Sequence, residues 1–129
     1  MSDAKQKSDQ AVVDLERARA KLRSRGKASA EELSHELATI RDLLDRGLTG
    51  EARSHLNSVL ARATNLPPIL AEARCALSIA LEMQGQYRES LDAVAMYETP
   101  DSRAKLDAEL GIRLRAQLAI AYNLSLIHI

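Results

Sequence analysis

The sequence predicts an all-α chain of antiparallel helical hairpins, and three observations carry that expectation. Apolar residues make up 46% of the 129 positions, yet only 2% are aromatic, with no Phe and no Trp. Leu, Ile, Val and Ala must therefore build the core, and Ala and Leu lead the order of helix propensity. Those residues also recur three and four apart, the period of a helix face. Finally, a glycine-centred turn at Gly47 returns at Gly85, 38 residues later, with a fresh apolar line after each.

Composition narrows the class further. The length has room for one domain. Acidic and basic residues balance at 18 each, for a net charge of 0. They are unevenly spread: residues 1–30 hold eight basic and four acidic side chains, and residues 31–104 hold seven basic and twelve acidic. A basic start on an acidic body can steer an anionic partner, whereas neutrality as a whole argues against bulk coating of nucleic acid. The single cysteine, Cys75, excludes an intrachain disulfide and fits a reducing compartment. The start MSDAKQKSDQ has no apolar signal-peptide core, and no apolar run approaches a membrane span. A cytoplasmic location is the default expectation.

Residues 1–7 are polar and expected to fray. From Ser8 to Arg25, Val12, Leu15, Ala18 and Leu22 mark one thin apolar line, with acidic residues early and basic ones late, as the helix dipole favours. Gly26-Lys27-Ala28 reads as a linker, so residues 1–28 form a charged helix and its connection. Ser29 and Glu32 have the spacing of a capping box. A helix then runs to Arg46 on Leu33, Leu37, Ile40, Leu43 and Leu44, and Gly47 ends it in the left-handed conformation.

Thr49 is expected to cap a second helix that turns Ala52, Leu56, Val59, Leu60 and Ala63 inward. Asn65-Leu66-Pro67-Pro68 breaks the pattern, and Pro68 suits the first turn of the next helix. That helix places Leu70, Ala73, Leu77, Ala80 and Leu81 on one side. After Gly85-Gln86, Tyr87–Tyr97 offers Leu91, Val94 and Ala95 for packing. Thr99-Pro100-Asp101-Ser102 stops it, and residues 103–124 read as one helix on Leu106, Leu110, Leu114, Leu118 and Ala121, with Gly111 its weakest point.

The stretch from Ala71 to Pro100 organises the rest. Gly85, Tyr87 and Ser90 form its turn, and Gly47, Thr49 and Ala52 stand in the same places one copy earlier. A third copy sets Ala119 and Ala121-Tyr122 where the second has Ser78 and Ala80-Leu81, 41 residues before. This pattern resembles the tetratricopeptide repeat (TPR), a pair of antiparallel helices that stacks into a superhelix. The resemblance implies a short TPR-like right-handed solenoid of about two and a half repeats over residues 29–124. It makes Ser78 and Ala119 the small residues where helices approach, and Tyr122 the aromatic that Leu81 replaces. Pro67 and Pro100 stand for the proline after the second helix. Arg74 stands where the family has an aromatic residue, and both offsets exceed the family's usual period.

Stacked hairpins generate a concave surface lined by the first helix of each pair. Polar residues on those helices beside the packing positions are the candidate partner contacts: Arg41 and Asp45, Arg74 and Ser78, Arg113 and Gln117. No catalytic, metal-binding or cofactor-binding residue emerges. His35-Glu36 lies in HELAT, but a zinc site of that type needs a second histidine where Thr39 stands. Cys75 reads as a small packing residue. The carboxylate pairs Glu31/Glu32 and Asp42/Asp45 fall near caps and on solvated faces, without the cleft that acid–base chemistry needs. No phosphate-binding glycine loop is present.

The last residues, 125–129, follow no repeat register and resemble translated adapter sequence. They are left unassigned, and the chain is expected to be the N-terminal piece of something longer. An incomplete final repeat implies an uncovered apolar face and a tendency to self-associate. The expected function is a non-enzymatic protein-interaction or scaffold module that holds a peptide or helix in its groove. Two alternatives stand beside it: the sensory part of a regulator with a missing effector domain, and a nucleic-acid-associated helical domain. The latter would use residues 17–27, with six positive charges and no acidic ones. Without an aromatic for stacking, nucleic acid is the disfavoured partner.

Overall fold

A lone glycine between helix formers costs a helix about 1 kcal/mol relative to alanine, which flanking turns readily offset. Gly26-Lys27-Ala28 is accordingly helical and not a linker: α1 runs without interruption over Ser2–Asp45. The computed structural model describes residues 2–128, with side chains for 6–22 and 30–128. The side chains of Arg23, Arg25, Lys27 and Ser29 lie outside the described residues. Ser29 falls inside α1, so there is no helix start for a Ser29–Glu32 box to cap. Packing divides the chain into Met1–Glu32 and Leu33–Ile129. In the first unit, the line Val12, Leu15, Ala18 and Leu22 is exposed.

The remaining helices are α2 (Thr49–Arg62), α3 (Pro67–Met83), α4 (Tyr87–Val94), α5 (Pro100–Arg103) and α6 (Ala108–Ile127), with a 3-10 turn at Ala95–Tyr97. No strand occurs among the described residues. In the second unit, Leu33, Leu37, Ile40, Leu43 and Leu44 of α1 are all buried, as their spacing predicts. Gly47, at φ 76°, ends the helix. Its N–H donates to Leu44 O (3.0 Å), and the Leu48 N–H donates to Leu43 O (2.8 Å). This Schellman arrangement satisfies carbonyls that a helix end leaves without partners. It recurs at the second glycine turn: Gly85 has φ 75°, and Gln86 N–H donates to Leu81 O at 2.8 Å. The two glycine turns thus share one backbone geometry.

The start of α2 differs from expectation. Thr49 is its first helical residue, Leu48 occupies the cap position, and no side-chain cap forms. The Thr49 hydroxyl donates back to Gly47 O instead (3.3 Å). Ala52, Leu56, Val59 and Ala63 are buried and Leu60 half-buried. Arg62, late in α2, pairs with Glu36, before the turn in α1, so the two run antiparallel. Arg53 at the start of α2 donates to Gln84 beyond the end of α3 (2.9 Å), which makes α2 and α3 antiparallel as well.

α3 is the centre of this unit. Pro67 and Pro68 open it, where a missing N–H is tolerated. It buries more than the one side expected: Ile69, Ala71, Ala73, Cys75, Ala76, Ser78, Ala80 and Leu81 are buried, while Leu70 and Leu77 are half-buried. A helix that buries residues on several sides has neighbours on each of them. α4 follows antiparallel, with Arg74 Nε donating to Ala93 O (2.8 Å), one of the last carbonyls of α4. Val94 is buried as expected, whereas Leu91 is half-buried and Ala95 exposed, and Ser90, Ala93 and Tyr97 are buried in their place. The switch to 3-10 winding at Ala95–Tyr97 accounts for Tyr97, since three residues per turn stack it over Val94.

Residues 103–124 do not form one helix. Thr99 accepts from Ser102 N–H (3.3 Å) to start the short α5, and residues 104–107 leave the helical path. Arg103 Nη1 donates to Tyr97 O (2.7 Å) and Glu98 O (3.0 Å), tying α5 back onto the 3-10 turn. Leu106 packs on the core of Ala71, Cys75, Val94, Tyr97, Leu110 and Leu114. Those two attachments bend the chain before Gly111, which sits undisturbed inside α6. α6 continues through residues 125–127, and the His128 ring stacks on Tyr87 with centroids 4.4 Å apart. Because Tyr87 opens α4 and His128 follows α6, these helices are antiparallel too.

At the closest approach of α3 and α4, the Ser78 hydroxyl donates to Ser90 O (2.8 Å) and the Ser90 hydroxyl to Ser78 O (2.7 Å). Gln117 Nε2 of α6 donates to Ser78 Oγ (3.1 Å) and to Glu82 Oε2 (3.3 Å). Ser78→Ala removes the bond to Ser90 O and one of the two bonds of the Gln117 amide, and is expected to lose about 0.5–1.5 kcal/mol of unfolding free energy in urea titrations. Ser78→Val adds volume at the contact and should lower the midpoint further, by roughly another 1–3 kcal/mol. A Val variant as stable as the Ala variant would mean that the helices are not held close there.

Hydrogen bonding to Arg62, then its charge and that of His55, hold Glu36 below its ordinary carboxylate value despite an opposing desolvation effect. A depressed folded pKa gives stability that is complete above the unfolded value and lost as pH falls through the folded one. The pair is largely exposed, so Glu36→Gln is expected to cost only about 0.2–1 kcal/mol at neutral pH. That difference should shrink with salt and vanish in acid.

Candidate functional site

The six candidate contacts separate into two groups. Arg41 of α1, Glu72 of α3 and Arg113 of α6 converge on one concavity of about 200 Å³, also lined by Leu44, Asp45, Cys75, Ala76 and Ile79. Glu72 forms an ion pair with Arg41, and its same oxygen lies 3.6 Å from Arg113 Nη2. Glu72–Arg113 and Ser78–Gln117 advance together along α3 and α6, so those two helices run parallel. One carboxylate thus lies between two guanidinium groups supplied by separate helices. Arg113 Nε is buried and has no partner among the described residues. Burial first, and the Arg113 charge second, hold the Arg41 guanidinium below its ordinary value. The formal charges of the lining balance, Arg41 and Arg113 against Glu72 and Asp45, but both guanidinium groups turn to one carboxylate, that of Glu72.

Arg74, Ser78 and Gln117 are placed differently. Arg74 binds the backbone at the end of α4, and Ser78 and Gln117 are 0% and 6% exposed within their mutual network. Burial withdraws Ser78 and Gln117 from any surface, because small or amide side chains facing a neighbouring helix are consumed by that contact. Ala119 and Tyr122 also depart from their expected packing role: both are exposed. They line a concavity of about 380 Å³ with Leu91, Ala95, Glu98 and Leu118. No helix follows α6 among the described residues to cover them.

Sequence reasoning missed Glu72. Its signal was a lone carboxylate in an otherwise apolar opening, PPILAEA, where a charge needs a partner. Cys75 lies on the same side of α3 and is buried; desolvation raises its thiol pKa above the ordinary value, against the opposing pull of Arg113 and Arg41. Among the described residues, no three His, Cys, Asp or Glu side chains gather as a metal site, and no helix is long and apolar enough to cross a membrane.

Comparison with family models, with curated proteins and with solved structures yields no match for this chain.

The buried, protonated Cys75 thiol is expected to react slowly with a disulfide reagent under native conditions and quickly once urea unfolds the chain. Equal rates in both states would place the sulfur at the surface.

Proposed function

We propose that this chain is a protein-interaction module, a TPR-like stack of helical hairpins that holds a carboxylate-bearing peptide at Arg41 and Arg113. The observation that carries the reading is the meeting of Arg41, Glu72 and Arg113, from three different helices, in one concavity. Two guanidinium groups share one carboxylate, that of Glu72, so donors remain for a second, and guanidinium matches a carboxylate with paired donors. The stacked-hairpin reading is supported by the duplicated glycine turns and by the antiparallel order of α1, α2, α3 and α4. The parallel course of α3 and α6 agrees with hairpins whose first helices share a face.

Fluorescence polarisation with a labelled Asp/Glu-rich peptide and its Asn/Gln counterpart tests the reading. The acidic peptide should bind tighter, with an affinity that falls as salt rises. Arg41→Gln and Arg113→Gln should each weaken it roughly tenfold or more. Glu72→Gln removes the resident competitor and should strengthen it. Equal affinity for both peptides, or indifference to the arginine substitutions, would overturn the assignment.

A further inference from the structure

The first unit leaves an amphipathic helical segment with no apolar partner: Leu15 is 52% exposed and Leu22 66% exposed. Ala11, Leu15, Ala18 and Leu22 are spaced four, three and four apart, the alternation of a two-helix seam. This spacing is the same read in either direction. Two copies crossing head to tail about the midpoint of Glu16 and Arg17 would set Ala11 against Leu22 and Leu15 against Ala18. Every layer then pairs one large with one small side chain, which allows close packing.

The charges have the matching symmetry. Asp9, Asp14 and Glu16 precede the midpoint, while Arg17–Lys27 is wholly basic among its charged residues. An antiparallel pair lays the acidic part of each copy on the basic part of the other. A parallel pair would run two basic segments side by side, which like-charge repulsion opposes. Asp14 and Lys21 each stand one residue before a leucine of the seam, on the same flank, and both are exposed. Head-to-tail pairing brings Asp14 of one copy beside Lys21 of the other, twice per dimer.

We propose that a second copy of this chain covers the 8–22 face of α1 as an antiparallel helical pair, with Leu15 and Leu22 in its seam and Asp14–Lys21 ion pairs at its edge. The occupant is identified by charge complementarity and by the self-complementary seam. This interface is independent of the Arg41–Arg113 concavity.

Sedimentation equilibrium of the full chain tests it. The wild type should form a dimer that weakens as salt rises. Asp14→Lys replaces two attractions by two repulsions and should raise the dissociation constant about tenfold. Adding Lys21→Asp to that variant should restore dimerisation, because the swapped pair is attractive only in the head-to-tail arrangement. Leu15→Asp should abolish the dimer. A wild-type chain that is monomeric up to about 1 mM would overturn the proposal. So would a dimer indifferent to Leu15→Asp, which would place association elsewhere, such as the exposed face of α6. Failure of the double exchange to rescue overturns the antiparallel pairing. A chain that stays monomeric but binds duplex DNA with steep salt dependence would assign the basic stretch to nucleic acid instead.

Discussion

The second unit depends on how closely α3 and α4 can approach. Ser78 and Ser90 have side chains small enough to let two backbones come within reach of each other's hydroxyls, and each hydroxyl donates to a carbonyl of the opposite helix. Burying two hydroxyls without partners would be costly. Here the polar groups are consumed in pairs, and Gln117 brings α6 into the same network. Larger residues would hold the helices apart, and the core of Ala71, Cys75, Val94, Tyr97, Leu110 and Leu114 would lose its closeness.

From that contact follow the positions of the charged groups. Holding α6 parallel to α3 brings Arg113 to Glu72, which α1 has already approached through Arg41. The cluster is therefore a consequence of packing several residues away. Ends are treated in a related way: Arg74 and Arg103 spend guanidinium donors on the terminal carbonyls of α4 and the 3-10 turn. These are arginines that composition alone would place on the surface. Their guanidinium groups reach backbone oxygen instead.

The first unit follows a different rule. Its helix has one thin apolar line and a charge gradient along its length, and nothing in its own sequence buries that line. Propensity and charge order suffice to write a helix there. They do not supply a core.

By itself, the sequence determined the helical class, the buried line from Leu33 to Leu44, the two glycine turns and the proline start of α3. All of these rest on local spacing or on backbone conformations that few residues adopt. Tertiary structure alone decided the rest. The continuity of α1 through Gly26 and the bend at residues 104–107 depend on neighbouring turns and on Arg103 and Leu106 finding distant partners. The all-round burial of α3 and the phase shift that buries Tyr97 depend on how many helices surround each one. Half of the candidate contacts, Arg41, Asp45 and Arg113, share one concavity, whereas Ser78 and Gln117 are consumed inside. Periodicity identifies a helix face, but a polar residue beside it becomes a surface group or a buried bridge only when the next helix arrives.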